Sequence, residues 1–215
     1  MSDKCRWVHQ QLSVLPSFSY PFAVETLPRN GIYFLYESGE LWGHNGDEQR
    51  IVRVGTHRDG NFRSRISEHY LVDASKMEFT AEQPKPSDRS IFRKNIGRAL
   101  LHRHKDPYID LWEIDFIPKQ HRDEHAHKRD IVKEKDLEHR VTQIIRQNFS
   151  FRFIMIQSQD ERMGRSGLES AIIGTLAQCE MCKPSDNWLG NDSPIEKIRE
   201  GGLWQVQHLN KPPIN

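Results

Sequence analysis

The sequence predicts an α+β fold, and three observations carry that prediction. Two short β-branched and aromatic runs, Gly31–Tyr36 and Ile51–Gly55, are separated by turn chemistry and read as an antiparallel hairpin. Apolar residues recur at helical spacing in 62–70, 91–103 and 131–147. Phe149 to Ile156 alternates early and then becomes apolar, the pattern of a central strand.

Residues 1–28 read as an irregular lead-in ending Leu27-Pro28-Arg29-Asn30. The first strand follows, bounded by Asn30-Gly31 and Ser38-Gly39. Residues 38–50 hold Gly39, Gly43, Asn45, Gly46 and Asp47, residues that suit a turn. After the second strand, Asp59-Gly60-Asn61 punctuates the chain, and Phe62, Ile66 and Tyr70 share one face of a helix. Residues 71–89, with two prolines and mixed polarity, read as loop. Ser90 caps a helix from Ile91 to about Arg103, with Phe92, Ile96 and Ala99 along one side. Leu111–Ile117 alternates enough to predict a strand, and 118–130 is charged and His-rich. A helix over Ile131–Gln147 has Leu137, Val141, Ile144 and Ile145 as its stripe. Ser166-Gly-Leu-Glu169 opens a last helix with Leu168, Ala171, Ile172 and Leu176 inward. Residues 179–215 are rich in Pro, Gly, Asn and Trp, with one apolar return at Leu203–Val206.

The 215 residues are expected to form one domain. A chain of this length buries roughly 70% of its unfolded surface and needs no staple. Mean hydropathy is −0.76 and no apolar run approaches a membrane span. The start, Met1-Ser-Asp-Lys-Cys-Arg-Trp7, lacks an apolar signal region, so a cytoplasmic protein without a membrane partner is expected. Three cysteines cannot build a disulfide framework. The net charge of +1 does not indicate polyanion binding from composition, so any nucleic-acid role rests on a local patch.

Four places could carry chemistry, and each has an ordinary reading. Tyr33 follows Gly31 on the first strand, where an aromatic is commonplace. Gly55-Thr56 is followed by Asn61-Phe62-Arg63-Ser64-Arg65-Ile66 and His69; Arg65 and His69 lie four apart on one helix face, commonly a solvated one. Glu169 completes a Ser166-x-x-Glu169 capping box. Asn187 sits in Pro184-Ser-Asp-Asn187, where a turn residue is expected.

Their order and spacing matter more than any one of them. Gly31-Ile32-Tyr33, a second strand ending Val54-Gly55, an Arg-x-x-x-His helix, a Glu opening a later helix and a Pro-x-x-Asn loop together resemble the GIY-YIG nuclease family. The first motif matches to the letter. The resemblance implies a small, mostly antiparallel three-stranded sheet (31–37, 51–56, 150–157) flanked by helices. It implies a core of 27–70 and 149–191, a helical insertion of 71–148 and a C-terminal extension of 192–215. It further implies a divalent-metal-dependent DNA endonuclease, restriction-type or stand-alone. Glu169 would hold one Mg²⁺ or Mn²⁺. Arg65 would contact the phosphate, Tyr33 or His69 would act as base, and Asn187 would orient the metal shell or the substrate. The second motif's tyrosine falls at Arg53, which cannot be a base but could bind a phosphate. That departure favours the alternative, a catalytically lapsed nucleic-acid-binding module.

The basic residues Arg93, Lys94, Arg98, Arg103 and Lys105 are candidates for DNA contact, with a solvated helix face as the ordinary reading. Cys179-x-x-Cys182 would need further ligands from Cys5 or from His121, His125 and His127 to hold zinc. Two reduced thiols at a helix end are the expectation, without zinc. No protein partner is identifiable, and a homodimer is compatible with a palindromic target.

Overall fold

The computed structural model describes residues 2–43, 46, 48–156 and 167–214. In chain order the elements are α1 (Ser2–Ser13), β1 (Phe18–Ser19), β2 (Gly31–Leu41), β3 (Gln49–Gly55), α2 (Phe62–Tyr70), α3 (Pro86–Arg89) and α4 (Ile91–Arg103). They continue with α5 (Ile109–Glu113), α6 (Lys119–His125), α7 (Ile131–Asn148), β4 (Phe149–Met155), α8 (Leu168–Ala177) and α9 (Glu196–Gly201). Asn45, Asp47, Gln157 and Ser166, which figure in the predicted turn, third strand and capping box, lie outside the described residues. Gly167, not Ser166, stands at the N-cap of α8.

The sheet is antiparallel throughout, in the order β1-β4-β2-β3. It has four strands where three were expected. The addition is the two-residue β1, which pairs Phe18 with Phe151 and Ser19 with Ser150. Phe18 stacks on Phe151 and Phe153, at 5.4 and 5.3 Å between ring centroids. Arg152 gathers the carbonyls of Leu12, Ser13 and Leu15 and so fastens the chain just before β1.

Strand β2 is buried on both faces, and its side-chain alternation divides the interior in two. Tyr33 and Leu35 face a core built by α2, α4 and α7, with Phe62, Ile66, Tyr70, Phe92, Ile96, Leu137 and Val141 as members. Ile32, Phe34 and Tyr36 face a second core built by α1 and α8, with Cys5, Val8, Leu12, Ile173 and Leu176. Segment 71–148 is therefore part of the main core.

Three expectations fail here. The first is the 71–89 loop, which holds the short helix α3 because Pro86 suits a first helical turn and Asp88 closes a capping box with Lys85. The lead-in contains α1, whose Cys5, Val8, His9 and Leu12 form a buried stripe at helical spacing. The stripe is hard to read because half of it is Cys and His. Leu111–Ile117 is not a strand: α5 covers 109–113, and the buried residues are Trp112 and Phe116, four apart. Trp112 decides the matter. Its Nε1 donates to Lys94 O at 3.1 Å, and its ring lies so close over Gly97 that a Cβ there would overlap it.

The open edge of β3 is covered by residues 203–206. Trp204 N donates to Val52 O at 2.7 Å, and Val54 N donates to Gln205 Oε1 at 3.2 Å. Trp204 and Trp188 pack at 5.1 Å, and both indoles donate to Glu37 Oε2, at 3.0 and 2.9 Å.

Candidate active site

The glycines of the two motifs are required by close approach. A Cβ on Gly31 would stand 2.6 Å from Ile154 O and 3.2 Å from the Phe62 ring. A Cβ on Gly55 would overlap the ring and hydroxyl of Tyr33, its cross-strand partner. Between them β3 bulges: Arg53 pairs with Leu35 and Ile51 with Tyr36, leaving Val52 as the extra residue. The bulge leaves Arg53 on the Tyr33 side of the sheet, with its guanidinium 5.5 Å from the Phe92 ring centroid.

Tyr33 Oη and His69 Nε2 are hydrogen-bonded at 2.8 Å, and His69 Nδ1 and Ser90 Oγ at 2.8 Å. Ser90 is also the N-cap of α4, accepting from Arg93 N at 3.3 Å. His69 has no exposed surface. Burial, and then the charges of Arg53, Arg65 and Arg93, hold its pKa well below the usual histidine value, so the ring is neutral.

Tyr33 opens onto a cleft of about 400 Å³. Arg53, Arg65 and Glu169 line it with Tyr33, as do Thr56, His57, Arg58, Asn95, Gln205 and His208. Glu169 is the one carboxylate among the described lining residues, against three arginines. Burial pushes its carboxyl up to about 7, opposed by the charge of Arg53 and a hydrogen bond from the Thr56 backbone N–H. Arg65 is held by Arg89 O at 2.8 Å and by Glu68 at 3.1 Å, and its Nη2 lies 3.4 Å from His57 Nδ1. Arg53 Nη1 donates to Trp204 O, while its Nε is buried without a hydrogen-bond partner among the described residues.

Tyr33, Arg65, His69, Glu169 and Arg53 thus come together, with His69 behind Tyr33 rather than in the cleft. Asn187 does not join them. It is exposed on the turn whose Ser185 bonds Glu40 and whose Trp188 bonds Glu37. The carboxamide facing the cleft from a helix is Asn95, on α4. Asn95, Gln205 and His208 carry no motif signal, because only the docking of α4 and of the 203–208 segment brings them there.

The basic set proves mostly paired with acids. Arg93 is fully buried and paired with Glu138 Oε2 at 2.6 Å, and Lys94 is 6% exposed beside Asp88 at 3.5 Å. Arg98 pairs with Glu113 and Arg103 with Asp192. Lys105 is exposed. Helix α4 therefore offers no continuous cationic face, since acids from α3, α5, α7 and the 189–192 turn neutralise it.

Cys182 meets Cys5 and His9 rather than the 121–127 histidines, and Cys179 is buried in the same core. His121 is bonded to Asp115 O, and His125 leans on Glu124.

No curated protein and no solved structure matches the chain. A family model described as a GIY-YIG domain does match, over residues 17–213. That span takes in the glycine-seated Tyr33, the Arg65/His69 helix and Glu169 on α8, and the chain belongs to the GIY-YIG family of nucleases.

Proposed function

We propose that this chain is a divalent-metal-dependent DNA endonuclease that hydrolyses phosphodiester bonds, of restriction or stand-alone type. The observation that carries the reading is the cleft itself: one desolvated carboxylate, Glu169, beside Tyr33 and three arginines. Such a cleft suits a phosphodiester, because its net charge is positive and its single acid is placed to hold a cation against the anion.

Glu169 fits a hard cation. Its carboxylate borders the cleft, and burial leaves it short of the solvation that a cation replaces. One carboxylate with waters and a phosphate oxygen suffices for Mg²⁺ or Mn²⁺. When bound, such an ion supplies Lewis-acid stabilisation of charge on the phosphate and leaving oxygens.

The chain's own residues do the rest. Arg65, its guanidinium fixed by Arg89 O and Glu68, binds the phosphate and meets charge that grows in the transition state. Tyr33 faces the attacking water. We assign the His69 proton to Nδ1, bonded to Ser90 Oγ, so that Nε2 accepts from Tyr33 O–H. The Tyr33 oxygen then keeps a lone pair that accepts a hydrogen bond from the attacking water and orients it. Buried among arginines, His69 cannot hold a second proton, so it positions Tyr33 and is not the base. Arg53 works against protonation of Glu169 and offers a second phosphate contact.

Cleavage of supercoiled plasmid with Mg²⁺, Mn²⁺ or EDTA, beside Glu169→Gln, tests the reading. Metal-dependent nicking or linearisation that the variant lacks is expected. Folded wild type that cuts neither plasmid nor branched DNA would overturn it in favour of a binding module, the reading favoured by Arg53 at the tyrosine position of the second motif.

A further inference from the structure

All three cysteines of the chain are buried in one core, where two of them, Cys5 and Cys182, meet His9. Cys5 and His9 are four apart on α1 and share its inward face. Cys179 and Cys182 lie in the turn that ends α8, where Cys182 N donates to Cys179 O at 3.2 Å. The ligand atoms of Cys5, His9 and Cys182 all fall within 4.8 Å of one another, and Cys179, three residues before Cys182, is buried in the same core. From these positions we propose that Cys5, His9, Cys179 and Cys182 bind a structural Zn²⁺, separate from the cleft cation and on the opposite face of the sheet.

The distances suit zinc. A tetrahedral site with Zn–S near 2.3 Å and Zn–N near 2.05 Å places nitrogen and sulfur about 3.6 Å apart. His9 Nε2 and Cys182 Sγ are 3.7 Å apart. His9 Nδ1 is bonded to its own helix at Cys5 O, 3.0 Å, which leaves Nε2 for the metal. That is the outer-shell bond metal-binding histidines ordinarily make. The other claimant on Nε2 is Ile51 N–H at 3.3 Å, one long hydrogen bond that a metal–nitrogen bond outcompetes. Stacking on Trp42, at 4.6 Å between centroids, fixes the ring plane.

Ligand chemistry selects the metal. Three thiols and an imidazole are soft donors with no carboxylate among them, a set that favours zinc over the hard cation of Glu169. Four protein ligands leave no open position, so the site is structural. Zinc there ties α1 to the end of α8, two segments more than 160 residues apart in sequence (5 and 9 against 179 and 182). Metal binding releases the thiol protons and needs no redox partner.

The test is elemental analysis of the full chain, purified without chelator, beside a Cys182→Ser variant and a Co²⁺-exchanged sample. About one zinc per chain is expected, with thiolate-to-cobalt charge transfer in the exchanged protein and zinc stoichiometry at least fivefold lower in the variant. A chelator is expected to lower the melting temperature of wild type, at unchanged pH. Wild type that is folded, holds less than a tenth of an equivalent and takes up none on titration overturns the proposal, whether or not the variant folds. So does a disulfide found among these cysteines by thiol counting after denaturation. The proposal is independent of the nuclease reading, since Glu169→Gln should keep its zinc.

Discussion

Glu169 is the residue on which function and stability oppose each other. Its carboxyl, pushed up to about 7 from an ordinary 4.5, is easier to bury protonated than ionised. A group with a raised folded pKa contributes fully below its unfolded value and loses that contribution as pH rises through 4.5 to 7. Glu169→Gln should therefore melt with wild type at pH 4 and about 5 °C above it at pH 8, an effect of about 2 kcal/mol. The same variant should lose cleavage by about 10³-fold or more. Because a bound cation requires the ionised form, wild-type cleavage in limiting Mg²⁺ should fall toward tenfold per pH unit below 7. A pH–rate profile at two metal concentrations checks this: more metal should move the midpoint down. Tyr33→Phe removes the bridge to His69 and leaves buried Nε2 without its partner, costing about 1–2 kcal/mol. The reading places that loss in kcat, by about 10²-fold, with KM little changed.

At the scale of elements, α4 explains why a basic stretch can be structural. Ser90 caps it, Arg93 anchors it to α7 through Glu138, and Glu138 Oε1 also accepts from Ser87 N at 2.7 Å. Glu138→Ala leaves Arg93 charged and unpaired in the interior, and denaturant unfolding should show a loss of about 3–5 kcal/mol. What could be read in advance follows the same division. Helices α4 and α7 were legible because their stripes are aliphatic and aromatic, and β2 and β3 because their residues are β-branched and bounded by glycine. Helix α1 was not, because Cys5 and His9 occupy half its inward face for reasons that lie at residues 179–182. Leu111–Ile117 misled because its apparent alternation hides a Trp112/Phe116 pair at helical spacing. In the site, Tyr33, Arg65 and Glu169 were legible through the spacing of their motifs. Asn95 carried no such signal and Asn187 lies outside the cleft, since which amide lines it is set by how α4 docks.

For the whole molecule, a net charge of +1 conceals a cleft with three arginines and one acid. DNA affinity should thus come from few contacts. If Arg53, Arg58 and Arg65 each meet a phosphate, log K against log salt should slope about −3, and Arg65→Gln should reduce the slope by about 1. Fluorescence anisotropy in EDTA measures both without cleavage. A slope near zero would place the DNA elsewhere on the surface. No helix among the described residues is long and apolar enough to cross a membrane.

One wall of the cleft comes from residues 31–65 and another from Gln205 to His208, which follow the strip that covers the β3 edge. A ribosome making this chain delivers Tyr33 and Arg65 early, Glu169 late and the 205–208 wall later still. While it is being synthesised beside the nucleic acids of its own cell, the nascent protein has no finished cleft with which to harm them.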